Sequence, residues 1–154
     1  MNVNKTFIKW DEFHKDCDKV AAQLLNKKFN YIIGLSRGGV IPARIIAENV
    51  EADHFLILGL KLYNGNQPGE HIQITQDIPD NIEMDRHDNI LIVDDISDGG
   101  TTLRYAMSYM FRKSGGGNIS TACPYYKPHT KYKPSYYAKS YPNDEWIVFP
   151  FEKE

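Results

Sequence analysis

Apolar residues near the start of the chain repeat at the spacing of one helical face. They follow Asp11 and stand at Phe13, Cys17, Val20, Ala21 and Leu24. This spacing predicts an amphipathic helix that packs against a core, with Asp11 as its N-terminal cap.

The next segment combines a short apolar run, a glycine turn and a second helical pattern. The apolar run covers residues 31–35, and Pro42 suits the first turn of a helix over 42–49. The turn between them reads Ser36, Arg37, Gly38, Gly39. A strand, a turn and a helix are therefore predicted in this order.

The same order returns in the second half of the chain. An apolar run at 90–93 leads into an acidic and glycine-rich turn, and a helix is predicted over 103–112. Further strands are predicted over 55–62, 119–122 and 146–149. The remaining long segment, 63–80, has two glycines, two prolines and no clear period, which predicts a mobile loop.

Short apolar strands that alternate with helices predict an α/β fold. Its central sheet is expected to be mostly parallel, with helices on both faces and right-handed crossovers. Ligands of such sheets bind at the carboxyl ends of the strands, where both glycine turns lie. The length of 154 residues, without a repeat or a linker, predicts a single domain over 1–154.

Composition and charge narrow the classes of protein that fit. Apolar residues make up 42% and charged residues 25%, the balance of a globular chain, and the formal net charge of -2 makes a nucleic-acid coat unlikely. No apolar run has the length of a signal peptide or of a membrane span, so we expect a cytoplasmic protein without a membrane partner. Cys17 and Cys123 lack CxxC spacing and are predicted to be buried, and the five histidines show no metal-ligand spacing.

The turn after the strand at 90–93 carries the densest candidate chemistry. Its polar and glycine residues are Asp94, Asp95, Asp98, Gly99, Gly100, Thr101 and Thr102. Glycines allow close backbone approach, and hydroxyls with the amides of a helix N-terminus favour a phosphate group. Adjacent carboxylates can accept hydrogen bonds from sugar hydroxyls or hold magnesium. The turn therefore indicates a site for a phosphorylated polyol.

Two other interpretations of this turn fit the sequence less well. An ordinary turn with a helix cap and solvated carboxylates would suit a lone glycine pair better than this longer arrangement. A response-regulator receiver would place its acidic strand at the start of the domain, whereas this strand lies past the midpoint of the chain. Neither P-loop nor dinucleotide glycine spacing occurs in the sequence.

In motif and order, the chain resembles the type I phosphoribosyltransferases, and most closely their short bacterial xanthine-guanine members. Residues 92–102 resemble the signature that binds phosphoribosyl pyrophosphate (PRPP). The resemblance extends to Trp10-Asp11, Ser36-Arg37-Gly38-Gly39, Lys127-Pro128 and Asp144-Glu145-Trp146-Ile147. It implies a type I phosphoribosyltransferase-like fold with a small C-terminal hood over 124–154 and a mobile active-site loop over 63–80.

The resemblance also implies how PRPP would be held. Ser36, Arg37 and Gly38 would bind pyrophosphate, often next to a non-proline cis peptide bond. The 5′-phosphate would lie on Gly99, Gly100, Thr101 and Thr102. Asp94 and Asp95 would bind ribose and Mg²⁺, with Asp95 the better metal contact. Asp98 would be the catalytic base that accepts a proton from purine N7.

The C-terminal residues would select the base. By resemblance, Lys127 donates to the oxygen at purine C6, while Trp146 and Ile147 line the base pocket. The partners would then be PRPP, a 6-oxopurine and further copies of the chain in a dimer or tetramer. The family pattern places a Ser-Tyr pair and a cationic residue in the loop 63–80. The present chain departs from it, with Leu62-Tyr63 and a Pro68-Gly69-Glu70 stretch without Lys or Arg, so a solvated loop without a catalytic task stays open.

The sequence leaves two rival functions open. One is a phosphoribosyltransferase for a different nitrogenous base. The other is a PRPP-binding or RNA-binding regulator of the same fold, because residues 125–141 contain six tyrosines, four lysines and no acidic residue. A hood with a solvated basic face is the alternative interpretation of that segment.

Overall fold

A computed structural model describes residues 3–63 and 71–153. The helices are α1 (Trp10–Ala22), α2 (Val40–Ala47) and α3 (Thr101–Lys113). The strands are β1 (Asn4–Phe7), β2 (Lys28–Ser36), β3 (Glu51–Tyr63), β4 (His71–Gln76), β5 (Asn89–Val93), β6 (Ile96–Ser97), β7 (Asn118–Ala122), β8 (Tyr125–Tyr126), β9 (Lys139–Ser140) and β10 (Glu145–Val148). None of the helices in these ranges is long and apolar enough to cross a membrane.

The central sheet has five strands in the order β4-β3-β2-β5-β7. Strands β2, β3, β5 and β7 run parallel, and β4 runs antiparallel to β3 at one edge. The predicted mostly parallel α/β sheet is thereby confirmed. Strand β2 lies in its middle because its run from Tyr31 to Leu35 is buried on both faces.

Two apolar clusters cover the two faces of this sheet. Alternate residues of β5 separate between them, with Leu91 and Val93 in one and Ile90 and Ile92 in the other. The first cluster includes the buried sides of α1 and α2, and the second includes that of α3. The helices therefore hold the sheet from both sides and leave the carboxyl ends of its strands as an open edge.

The predicted face of α1 is confirmed, but its cap is not. Phe13, Cys17 and Val20 have no exposed surface. Helix α1 begins at Trp10, so Asp11 lies in its first turn, while Lys9 occupies the cap position without a side-chain hydrogen bond. A carboxylate in the first turn still interacts favourably with the helix dipole.

The loop predicted over 63–80 is wrong for its second half. His71–Gln76 form β4, which pairs with β3 between Tyr63–His71 and Gly59–Gln76. Polar residues alternate there with the half-buried Ile72 and Ile74, a period-2 signal of a strand that the loop prediction overlooked. Beyond it, the Tyr109 hydroxyl of α3 donates to Asp77 Oδ1 at 2.5 Å. Residues 64–70 of the predicted loop lie outside the described part of the chain.

The C-terminal segment forms two small sheets above the carboxyl edge. Strands β6, β8 and β9 make one of them, and β1 and β10 make the other. The predicted strand at 146–149 is present as β10, but its partner is the N-terminal strand β1, which the sequence pattern did not predict. Both ends of the chain therefore meet beside the site.

Candidate active site

The two glycine turns lie side by side because the strands that lead into them are neighbours. Strand β2 pairs with β5 from Tyr31–Ile90 to Gly34–Val93, so the turns that follow leave the same edge of the sheet. A methyl group at Gly38 would overlap the Asp95 carboxylate. Only glycine allows this approach of the first turn to the acidic pair.

The first turn has the backbone geometry that the family resemblance implies. The peptide bond between Ser36 and Arg37 is cis. Ser36 is half-buried at the end of β2, whereas Arg37 is exposed. The Arg37 side chain is therefore available to an anion at the sheet edge.

The second turn forms a cradle at the start of α3. A cavity of about 320 Å³ opens there, lined by residues that include Asp94, Asp98, Gly99, Gly100, Thr101 and Thr102. Gly100 has a φ of 88°, which favours glycine, and it packs closely against the backbone of Tyr132. Helix α3 begins at Thr101, so the amides of its first turn and its positive dipole end favour an anion in this cavity.

A second and larger cavity, of about 720 Å³, lies on the other side of the acidic pair. Its lining residues are Lys5, Arg37, Gly38, Ile41, Asp95, Trp146, Val148, Phe151, Glu152 and Lys153. Three of them are cationic, and the site thus joins the predicted pyrophosphate turn to one residue predicted to contact the base. Lys5 was missed by the sequence analysis because β1 carries no distinctive pattern; its pairing opposite Trp146 brings it here.

The adjacent carboxylates line different cavities, Asp94 the smaller one and Asp95 the larger one. Burial and the charge of Asp95 raise the pKa of Asp94 well above its ordinary value. Burial is also the main cause that raises the pKa of Asp95 to about 6, and the Glu152 charge adds to it. Asp94 Oδ1 accepts the Asp95 amide at 2.9 Å, and Asp95 Oδ1 accepts the Ile96 amide at 2.7 Å.

This pair is suited to a cation that the ligand itself helps to hold. Mg²⁺ is commonly bound by one or two carboxylates together with substrate phosphates and water. The described residues contain no group of three or more His, Cys, Asp or Glu that would enclose a metal by themselves. Of the pair, Asp95 lines the larger cavity, where Glu152 also stands, and a cation there would offset the effects of burial and of the Glu152 charge that raise the pKa of Asp95.

Asp98 is held by two residues of the hood. Its Oδ2 lies 3.2 Å from Lys127 Nζ, and its Oδ1 lies 2.6 Å from His129 Nε2. Partial burial alone would raise the pKa of Asp98, but the hydrogen bonds from His129 and Lys127 outweigh it and lower the pKa. His129 was missed because a lone histidine carries no ligand spacing, and its only signal is its place two residues after Lys127.

Lys127 is fixed from several directions. It is 5% exposed, and its Nζ donates to the Glu145 carbonyl at 2.6 Å. Its backbone amide donates to Ser97 O at 3.0 Å, which ties the hood to the acidic turn. The ammonium group therefore stands beside Asp98 with its position set before any ligand arrives.

The two hydrophobic residues predicted to contact a base are placed differently. Trp146 is 59% exposed and lines the larger cavity. Ile147 is 7% exposed and packs in the apolar cluster with α1 and α2. Because successive strand residues point to opposite faces, β10 offers one side chain to the cavity and one to the core.

The basic aromatic segment makes many contacts inside the molecule. Tyr125 is fully buried and donates to Asp16 Oδ2 at 2.6 Å. Lys139 lies 2.7 Å from Glu12 Oε1, and Lys133 stands over the rings of Tyr126 and Tyr137. These contacts favour the hood interpretation of residues 125–141.

The carboxyl edge of a mostly parallel sheet thus brings together a helix N-terminus, an acidic pair and an arginine turn. The sequence matches the phosphoribosyl transferase domain family over residues 6–153. The chain therefore belongs to this family.

Individual relatives agree with this assignment. The xanthine-guanine phosphoribosyltransferase of Gluconobacter oxydans (strain 621H) is 28% identical over 152 residues, which cover 97% of this chain and 86% of the relative. The crystal structure of a purine phosphoribosyltransferase from Pyrococcus horikoshii Ot3 superposes with a TM-score of 0.82 at 32% identity, covering 97% of this chain and 95% of that one. A Neisseria gonorrhoeae hypothetical protein with bound ppGpp shares the fold, with a TM-score of 0.81 at 18% identity and coverage of 99% and 92%.

Proposed function

We propose that the protein transfers the phosphoribosyl group of PRPP to a 6-oxopurine and releases pyrophosphate. The observation that carries this proposal is the pairing of Lys127 Nζ with Asp98 Oδ2 at 3.2 Å. In a 6-oxopurine, O6 is an acceptor next to N7 on one edge of the base. A cation beside a carboxylate complements O6 beside a protonated N7.

The same pair disfavours adenine. Adenine carries an amino group in place of O6, so Lys127 would face a donor and both groups would lose a hydrogen bond. Lys127 cannot turn away from the base without leaving Asp98 and the Glu145 carbonyl. Base selection thus follows from the fixed position of one ammonium group.

PRPP would span the two cavities. Its 5′-phosphate would lie in the cradle of Gly99, Gly100, Thr101 and Thr102, and its pyrophosphate would meet Ser36, Arg37 and Gly38. Lys5 and Lys153 line the same cavity as Arg37 and add positive charge there. These two residues offer cations on this side of the site, while the loop after β3 carries none between Tyr63 and Asp80.

The chain's own groups would carry the reaction. Purine N9 forms a bond to the anomeric carbon as the bond to pyrophosphate breaks, through a transition state with oxocarbenium character. Asp98 accepts the N7 proton, and Arg37 stabilises the charge on the departing pyrophosphate. Mg²⁺, held by Asp95 with the substrate oxygens, would supply further charge neutralisation when bound.

We also propose that the chain assembles as a homodimer or homotetramer, as members of the family it resembles commonly do. Light scattering coupled to gel filtration measures the mass directly, and a monomer at micromolar concentration would contradict this part of the proposal.

The activity is tested by pyrophosphate release from PRPP and Mg²⁺ with hypoxanthine, guanine, xanthine and adenine in turn. We expect release with at least one oxopurine and little with adenine. Failure of every base to support release, together with RNA binding through residues 125–141, would favour the regulatory function instead.

Two variants locate the activity in the site. Asp98→Asn should lower kcat by about 10²-fold or more while PRPP still binds, because the cradle stays intact. Lys127→Ala should raise the KM for the oxopurine.

Asp53→Asn at the amino end of β3 is the matched control, since its carboxylate contacts only the exposed Asn30 side chain in the described hydrogen bonds. An Asp98→Asn enzyme with unchanged turnover would remove Asp98 from the base role.

A further inference from the structure

The two oxygens of the Asp98 carboxylate have separate partners. Oδ2 faces Lys127 Nζ at 3.2 Å, and Oδ1 faces His129 Nε2 at 2.6 Å. Both Asp98 and His129 are about half exposed, with side-chain exposures of 48% and 43%. The short contact therefore lies at the mouth of the cradle and not in the core.

The backbone holds His129 opposite Asp98. The Lys127 amide donates to Ser97 O and the Lys131 amide donates to Gly99 O, each at 3.0 Å. These two bonds bracket Asp98 on one segment and His129 on the other. The His129 amide itself donates to Asn143 Oδ1 at 2.9 Å.

The protonation states follow from the charge of Asp98. An ionised carboxylate only accepts hydrogen bonds, so His129 must present an Nε2–H to Oδ1. This bond occupies Oδ1 and restricts rotation of the carboxylate. Oδ2 is then the oxygen left beside Lys127 for a ligand proton.

We propose that His129 is a positioning residue that holds Asp98 with Oδ2 toward the N7 proton of the incoming purine. The inference rests on the proposed function, and it adds a residue that the sequence motifs did not include. A family motif ends at Lys127-Pro128, and His129 is the next residue along the chain.

The proton transfer balances without any change at His129. The N7–H bond breaks and an Oδ2–H bond forms, while the electron pair of the N7–H bond stays on N7 as its lone pair. The lone pair of N9 forms the C1′–N9 bond as the C1′–O bond to pyrophosphate breaks, and pyrophosphate leaves with the electron pair of that C1′–O bond. Oδ1 remains an acceptor throughout, so the His129 hydrogen bond persists from reactants to products.

The test compares His129→Ala with His129→Gln. Glutamine keeps an N–H donor at a similar reach, whereas alanine removes it. We expect His129→Ala to lower kcat roughly tenfold, the factor that corresponds to one hydrogen bond to a charged group, with the KM for PRPP unchanged. His129→Gln should restore most of the loss.

Two controls separate positioning from structural support. His14→Ala removes a similar histidine, 3.1 Å from Asp18 on α1 and away from the site, and should leave kcat unchanged. In an Asp98→Asn background, His129→Ala should cost little more, because the carboxylate that it positions is gone.

The outcomes distinguish this inference from the proposed function. Wild-type activity with an unaffected His129→Ala variant overturns the inference alone. A structural role would also overturn the inference. It would appear as a loss of kcat in His129→Ala that His129→Gln does not restore, that adds fully to the loss in Asp98→Asn and that comes with a lower Tm. A wild-type protein that releases no pyrophosphate with any purine overturns the proposed function and the inference with it.

Discussion

Single residues decide how closely the two turns of the site can approach. The Cα of Gly38 faces the Asp95 carboxylate without room for a methyl group. Gly99 stands where the signature that this turn resembles usually carries Thr or Ser. No atom lies within 4 Å of the position that a Cβ at Gly99 would take. Two glycines in equivalent turns thus have opposite tolerance for a side chain.

This contrast predicts the effects of two alanine substitutions. Gly38→Ala must displace Asp95 or the turn, so we expect kcat/KM for PRPP to fall on the order of 10²-fold. Gly99→Ala is the matched control for folding and should keep the wild-type Tm, since its methyl group meets no described protein atom, whereas Gly38→Ala should lower the Tm. Steady-state kinetics at saturating purine measure the loss in Gly38→Ala, and calorimetry compares the Tm of both variants. Equal falls in Tm for the two variants would contradict the assignment of close approach to Gly38.

At the scale of elements, the pair of strands β1 and β10 places Lys5 and Trp146 in the lining of the larger cavity. Strand β10 carries Trp146 and pairs with β1 in parallel register, Lys5 opposite Trp146. Thr6 Oγ1 donates to Glu145 Oε2 at 2.7 Å, and the Ile8 amide donates to Val148 O at 3.0 Å. In the described part of the chain β10 has no other strand partner.

Removal of residues 1–7 should therefore damage the hood more than the sheet. We expect the Tm to fall by about 5 °C or more and the KM for the purine to rise, because β10 loses its ladder and the cavity loses Lys5. Thr6→Val keeps the strand and removes one hydroxyl, so it is the matched control with a small effect. Calorimetry and purine titrations give the two readouts, and an unchanged KM after the deletion would show that β10 holds its place alone.

For the whole molecule, two oppositely charged segments meet at one site. The net charge of -2 averages an acidic turn at 94–98 with the basic segment at 125–141. These segments are joined directly, because Asp98 contacts both Lys127 and His129. Opposite charge at the carboxyl edge therefore docks the hood onto the sheet.

The acidic pair makes the stability of the molecule depend on pH in a definite direction. The pKa of Asp95 rises on folding from 3.8 to about 6, so the folded state holds its proton more tightly. The tighter binding of this proton adds to the free energy of unfolding. The added stability is fully present below about pH 4 and is lost as the pH rises through about 6. Without divalent cations, Asp95→Asn should thus be more stable than wild type above pH 6.

Asp98→Asn is a control in which the free energy of unfolding at neutral pH should change in the opposite direction. The pKa of Asp98 is lowered on folding, so its contribution is present at neutral pH and is lost as the pH falls through the folded value. Urea unfolding between pH 4 and 8 measures both variants against wild type. The same sign of change at pH 7 for both would contradict the assignment.

The sequence by itself determined the central architecture. Runs such as 31–35 and 90–93 are apolar on both faces, and only a covered parallel strand suits that pattern, so the sheet, its helices and the two turns at its edge were predictable. The PRPP motif likewise named Asp94, Asp95 and Asp98, because its chemistry lies in consecutive residues.

Tertiary structure alone decided the contacts between distant segments. Strand β1 beside β10 and the bond between His129 and Asp98 join residues whose local sequence has little or no periodic signal. Strand β4 does alternate in sequence, but that alternation does not name β3 as its antiparallel partner. Periodicity reports the face that a segment buries, whereas pairing depends on which distant segment closes onto it. The outline of the site could therefore be predicted from the sequence, while the residues that contact Asp98, the proposed catalytic base, required the fold.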